Sequence, residues 1–340
     1  MSRLGKQTLR FENAPAVLSW ASIVGKKEGQ GPLAKFFDVV SQDTKFGQET
    51  WEKAECQMQK DALRRALGKA FLVPQQLQLL CAGDLLNQCI SSSYAVRGSG
   101  VPFLGLYGAC STMAESLVVA SMAIDGGYAE RAAAMTSSHF ASAERQYRQP
   151  LEYGGQRTPT AQWTVTGSGC VILGRSGGSI HVRSATVGQV IDKGITDANN
   201  MGSAMAPAAY ETIRQHLEDT GRTPEDYDCI VTGDLGKVGS EILRDLFRRD
   251  GVRLGEHYND CGLLIYDRTR QDVHAGGSGC GCAASVLCGP LLAQMDRGEL
   301  KHLLLCATGA LMSPVSTQQG ESIPAVCHAV ELTADEKENA

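Results

Sequence analysis

The sequence predicts an α/β fold built twice over, and three observations predict it. Short apolar runs that suit buried strands alternate with longer small-residue runs that suit helices. Ala82-Gly83-Asp84-Leu85 closes one helix–strand unit, and Thr232-Gly233-Asp234-Leu235 closes another. Gly108 through Ser137 also matches Gly279 through Thr308 at one fixed offset. In both stretches a Gly/Cys turn opens a small-residue helix. The helix ends in Asp-x-Gly (Asp125-Gly126-Gly127 and Asp296-Arg297-Gly298), and a hydrophobic strand follows. Two matches in the same order point to a duplicated unit, with residues 1–195 as one half and 196–340 as the other. Helices of Ala, Ser, Gly and Cys let backbones approach closely, so two such helices, one per half, are expected side by side at the centre.

Taken in order, Ala16 to Gly25 alternates loosely and is expected as a first strand, and Lys26 to Lys45 as a polar loop. Gln48 to Ala70 places Leu63, Ala66, Leu67 and Ala70 on one helical face. Leu77 to Ala82 is a short strand, Asn87 to Ala95 a short helix and Val101 to Tyr107 a strand. Cys110 to Ile124 follows as a helix and Arg131 to Thr136 as a strand. Phe140 to Thr160 is expected to be irregular, and it carries Arg145, Tyr147, Arg148, Tyr153 and Arg157. Ala161 to Leu173 and Ser179 to Ile191, parted by Gly174 to Gly178, are expected as an antiparallel pair. The second half repeats the pattern. It has helices at Met205–Leu217, Ser240–Arg248 and Ala283–Met295, strands at Cys229–Thr232, His302–Ala307 and Ile323–Leu332, and a Gly-rich entry at Val273–Cys282. Thr333 to Ala340 is an acidic tail expected to be disordered.

Composition narrows the function classes. At 340 residues with 43% hydrophobic and 20% charged, the chain can bury a large core. A net charge of -5 argues against nonspecific nucleic-acid binding. No apolar run reaches the roughly 18 residues of a membrane span, and Met1 to Arg10 lacks the apolar core of a signal peptide. The 12 Cys are scattered without a disulfide framework, so free thiols in a reducing compartment are expected. Cys280-x-Cys282 has no second ligand pair at metal spacing, so no metal is expected there.

Cys110 sits at a tight strand-to-helix turn, Gly108-Ala109-Cys110-Ser111-Thr112-Met113-Ala114. A thiol there meets the positive end of the helix dipole and the unpaired first-turn N–H groups. Such a place lowers a thiol pKa or holds an anion; alternatively the Cys is a small buried hydrophobe. Asp84 and Asp234, at matching positions, either line a pocket or cap helices. His139, after the strand that follows the Cys110 helix, is either a pocket wall or a structural hydrogen-bonder. Arg145, Arg148 and Arg157 either close as a cationic lid over an anion or lie in solvent.

The arrangement resembles the thiolase fold of thiolases and ketoacyl synthases over about Ala16 to Leu332. The Gly-Ala-Cys-Ser turn, Thr164 to Leu173, Asp226 to Val231 and the entry to Ala283-Ala284-Ser285-Val286 carry the likeness. The resemblance implies two similar halves in five layers, α-β-α-β-α, and a homodimer through Val101 to Tyr107. It also makes Cys110 the acyl-accepting nucleophile. The enzymes' other catalytic positions, a His or Asn in each case, fall on Gly233 and Cys280 here. Gly cannot handle the proton or the oxyanion that condensation creates, and Cys handles them poorly; an alignment shifted by a few residues would bring His274 or Asp234 into play instead.

Three runs are more specific: Leu18 to Gly29, Gly47 to Glu55 and His274 to Cys282. They resemble a sporulation-protein family of spore-forming bacteria, the stage V AD family. That resemblance implies binding of dipicolinic acid (pyridine-2,6-dicarboxylate), with or without calcium and with no other cofactor. It also implies work with the SpoVA membrane proteins of the same operon in moving the compound into the developing spore. The expected place is therefore the spore or forespore, on the inner membrane through those partners. The expected ligand-binding residues are Cys110, Ser111, Asp84, His139, Asp234 and Cys280. Two helix N-termini, at Cys110 and Cys280, would present N–H groups to the two carboxylates. The alternative function is a Cys-dependent acyltransferase or ketoacyl synthase using Cys110.

Overall fold

The computed structural model describes residues 2–147 and 157–336. Ten strands form one continuous path that divides into two sets with the same plan. The first set is β1 (Ala16–Val24), β2 (Leu79–Gly83), β3 (Phe103–Gly105), β4 (Arg131–Ser138) and β5 (Gly167–Gly174). The second is β6 (Ile180–Thr186), β7 (Cys229–Thr232), β8 (Tyr258–Asp260), β9 (His302–Ala310) and β10 (Ala325–Ala334). In space the order is β3-β2-β4-β5-β1 for the first and β8-β7-β9-β10-β6 for the second. In the first set β2 runs parallel to β3 and β4, while β5 is antiparallel to β4 and β1. The second repeats this, with β7 parallel to β8 and β9, and β10 antiparallel to β9 and β6. The sets meet at one residue pair, His181 opposite Ala16. Strand β6 thus goes with the second set, ahead of the division expected at 195/196.

Helices complete five layers. Outside the first sheet lie α1 (Trp51–Lys69), opened by a Thr50 side-chain cap on the Lys53 N–H, and α2 (Ile90–Val96). Ala54, Met58, Ala62, Ala66 and Leu67 form the buried face of α1, a stripe at helical spacing. Outside the second sheet lie α5 (Met201–Thr220) and α6 (Gly236–Arg249). Between the sheets are α3 (Thr112–Asp125) and α7 (Cys280–Val286), which runs on through Leu287–Leu291 into α8 (Leu292–Arg297). Both central helices touch strands of both sheets and each other. Their small residues permit this: Ala114, Ala120, Ala283 and Ala284 are all fully buried.

The structure corrects four expectations. Strands β5 and β6 are not a hairpin, because β1 lies between them and Gly174 to Gly178 passes over its end. Within Phe140–Thr160 the first residues form a helix, α4 (Phe140–Tyr147). The strand expected from Ala161 is a two-residue piece, Trp163–Thr164, paired with Gly277–Ser278, and only then β5. Thr333 and Ala334 belong to β10; residues 337–340 of the expected tail, like Arg148 and Tyr153, lie outside the described residues. Among the described residues no helix is long and apolar enough to cross a membrane.

Candidate functional site

The parallel strands of each set end towards the central helices, where open α/β sheets form clefts. Between β3 and α3 the chain makes its Cys110 turn. Ala109 takes φ +49°, a left-handed conformation that costs an alanine about 1 kcal/mol. The turn is pressed against β9: a Cβ on Gly309 would stand 2.2 Å from the Gly108 carbonyl oxygen, so only glycine fits that contact. Three donors of the turn are held within it. Ser111 Oγ donates to Gly108 O (2.6 Å), Thr112 Oγ1 to Ala109 O (2.7 Å), and the Gly108 N–H to Thr112 Oγ1 (3.2 Å).

Across from Cys110, the turn after β7 carries Asp234, fully buried. One carboxylate oxygen accepts the Gly279 N–H (2.9 Å) and the other the Thr308 hydroxyl (2.8 Å). The Cys110 thiol lies near enough to this carboxylate to feel its charge. Burial pushes the Asp234 pKa up to about 6. Burial, then the Asp234 charge, pushes the Cys110 thiol well above the usual thiol range, against the lowering expected from the helix end. Cys280 packs against Cys110, Leu85 and Ala143, and its thiol donates to Ser137 O (2.9 Å). At Gly233 a Cβ would stand 3.1 Å from both Ala307 Cα and Thr308 N. Any side chain at that position would press on the β9 backbone.

Ala109, Cys110 and Gly279 floor a narrow cavity, with Asp234 and Cys280 buried behind them. Its walls include Glu144 and Tyr147 from α4, Thr164, Ser278, and the apolar Met201 and Met312. Tyr147 donates to Leu85 O (2.6 Å) and lies 2.6 Å from the Tyr107 hydroxyl. Thr164 Oγ1 stands 3.4 Å from Glu144 Oε1. Among the described residues lining the cavity there is no Lys, Arg or His.

Of the six predicted site residues, the structure brings Cys110, Asp234 and Cys280 together. Ser111 is fully buried and faces back into its own turn. Asp84 closes the loop into α2: its carboxylate accepts the N–H groups of Leu86 (2.9 Å) and Ser92 (2.8 Å) and the Ser92 hydroxyl (2.6 Å). It is a capping residue, away from the cavity walls. His139 lines a different cavity; its Nδ1 accepts the Ala141 N–H (3.1 Å), so its Nε2 donates to Thr44 O (2.8 Å) and the ring is neutral. The paired helix ends also differ from expectation, because Gly279 N–H is held by Asp234 and Gly281 N–H by Ser138 Oγ (3.1 Å). The cationic lid does not form among the described residues: Arg145 pairs with Glu52, and Arg157 with Asp272 (2.8 Å). Sequence reasoning misses Glu144, Thr164 and Ser278 as walls. Their only signal is proximity to the two Gly-rich entries.

Two sheets of one plan around a central helix pair, with a cysteine turn at their junction, define a thiolase-like protein. Solved structures agree in fold. The 3-oxoacyl-[acyl-carrier-protein] synthase III from Aquifex aeolicus VF5 matches with a TM-score of 0.57 at 16% identity, covering 94% of this chain and 100% of that one. A single-residue variant of OleA from Xanthomonas campestris matches with a TM-score of 0.61 at 13% identity, covering 98% and 100%. Within that class, sequence sets the family. The stage V sporulation protein AD (SpoVAD) family matches residues 5–333. The stage V sporulation protein AD of Bacillus subtilis (strain 168) is 50% identical over 330 residues, 97% of each chain. The chain belongs to the stage V sporulation protein AD family, and its role lies in sporulation.

Proposed function

We propose that the chain binds dipicolinic acid in the Cys110 cavity, without catalysis, as the component of a SpoVA assembly that hands the compound to its membrane proteins. The observation that carries the reading is the company Cys110 keeps. An acyl-accepting thiol needs a base or a cation to become a thiolate. Here the thiol is buried beside a carboxylate and pushed away from ionisation. Glycine fills one of the two remaining catalytic positions and a buried thiol the other. What the cavity offers is apolar walls of Leu85, Met201 and Met312 with the hydroxyls of Tyr147, Thr164 and Ser278, a set that suits a small ligand with an apolar body and polar ends. Strand β3, at the sheet's edge with Leu104 exposed, is where a second copy would pair. The spore's inner membrane, reached through partner proteins, is the place this role requires.

Titration with dipicolinate tests the reading, followed by thermal melting of the full chain and by the ligand's ultraviolet absorbance. A ligand bound only by the folded state adds about 2.7 kcal/mol at a hundred times its Kd, so a saturable rise in Tm is expected. No rise, together with acylation of Cys110 by acyl-CoA that turns over, would replace it with the acyltransferase reading.

A further inference from the structure

The positive charge that a carboxylate ligand seeks stands on the other side of α4 from the Cys110 cavity. There Lys27, Glu28, Trp51, His139, Phe140 and Trp163 line a second cavity of about 300 Å³. Trp163 is covered on both faces. Phe140 stacks on one, with centroids 3.8 Å apart and planes 7° apart. The other face holds Lys27 Nζ, 3.5 Å from the ring centroid, and the Arg157 guanidinium at 4.6 Å. Two cations therefore share one ring face.

Their only carboxylate partner among the described residues is Asp272, whose side chain is 72% exposed. Arg157 Nη2 pairs with it, while Lys27 Nζ donates to its backbone carbonyl (3.0 Å). Arg157 Nη1 is buried with no hydrogen-bond partner. A buried guanidinium N–H without an acceptor is costly. Lys26 adds a third cation at the rim. The loop after β1 supplies one more unsatisfied group. Glu28 is 1% exposed; its Oε1 accepts the Thr166 N–H (3.1 Å) and the Tyr266 hydroxyl, and its Oε2 is buried without a partner. Burial favours the protonated acid, which has an O–H to donate. Trp51 and His139, tilted at 37° with centroids 5.5 Å apart, give the cavity flat walls.

We infer that this cavity is a second ligand site, taking a planar one-ring aromatic carboxylate, with its carboxylate on Lys27, the Arg157 guanidinium adding charge from beside the Trp163 ring, and its ring against Trp51 and His139. This goes beyond the Cys110 reading and does not require it. The test is calorimetric titration of the full chain with pyridine-2-carboxylate, dipicolinate and inorganic phosphate. It compares wild type, Lys27→Gln, Arg157→Gln, and Met312→Trp, which fills the Cys110 cavity. K27Q and R157Q are each expected to weaken pyridine-2-carboxylate about ten-fold, with Lys27→Arg restoring most of the binding and M312W leaving it unchanged. Unchanged binding in K27Q and R157Q overturns the inference, as does phosphate binding as tightly as the ring acid, or no binding by wild type. The Cys110 reading fails separately, if M312W leaves every dipicolinate site intact.

Discussion

Asp84 and Asp234 occupy the same address in the two halves, each just past a Gly at the end of a parallel strand, yet they do different work. Asp84 is tied to its own neighbourhood, to Leu86 and Ser92. Asp234 reaches across to Gly279, Thr308 and Cys110. The difference has a visible cause. In the second half the capping task belongs to Asp260 at the end of β8. Its carboxylate accepts the N–H groups of Leu235 (2.8 Å) and Gly236 (3.0 Å) and the Thr232 hydroxyl (2.7 Å). With the α6 entry already satisfied, Asp234 is released to hold the Gly279 and Thr308 donors beside Cys110. Duplication fixes where a residue stands; neighbours added in one copy decide what it does.

The contrast can be broken most forcefully at Asp84. Asp84→Ala strands two buried N–H groups and a hydroxyl, an expected loss of about 4 kcal/mol in urea unfolding. The rate of Cys110 alkylation in the folded protein should stay unchanged. A loss below about 1 kcal/mol would remove Asp84 from its capping role.

A second effect separates the acids by pH. The Asp234 pKa is raised from 3.8 to about 6 by burial, so between those values the folded state holds the proton more tightly than the unfolded state. Stability therefore falls as pH rises from about 4 to about 6, by about 3 kcal/mol for this group. Asp260, raised to about 7 by burial, contributes in the same direction. Asp234→Asn should flatten the first part of that fall and leave the Asp260 part, as measured by unfolding at several pH values. A fall unchanged in D234N would contradict the assignment.

The smallest effect is on the thiol. Removing the Asp234 charge takes away the second-largest cause of the raised Cys110 pKa. D234N should then speed iodoacetamide labelling of Cys110 about five-fold at fixed pH. Asp84→Asn should leave it as it was.

Much of this plan is legible in the sequence, because strands such as β2, β7 and β9 are built on apolar runs and the turn motifs recur at one offset. What is not legible depends on partners far along the chain. Gly174 to Gly178 looks like a hairpin turn, and nothing local tells that β1 enters between β5 and β6. Asp84 and Asp234 cannot be told apart without Asp260, which lies beyond both. His139 is legible as the residue at that strand end, but α4 turns it towards Thr44 and Trp51, away from Cys110. Lys27 stands in a run that carries the family likeness, but its chemistry emerges only once Trp163 and Arg157 arrive from far away in sequence.

The position of β10 sets an order on how the chain is made. The first sheet has all its strands once Gly174 has emerged from the ribosome. The second must wait for Ala325–Ala334, the last described strand to be synthesised, because β10 sits between β9 and β6. Until then α3 has only one of its two sheets, and the side of it that β9 and β10 will cover faces water. During translation the growing chain therefore shows an apolar helix to solvent, a period in which chaperones have something to hold.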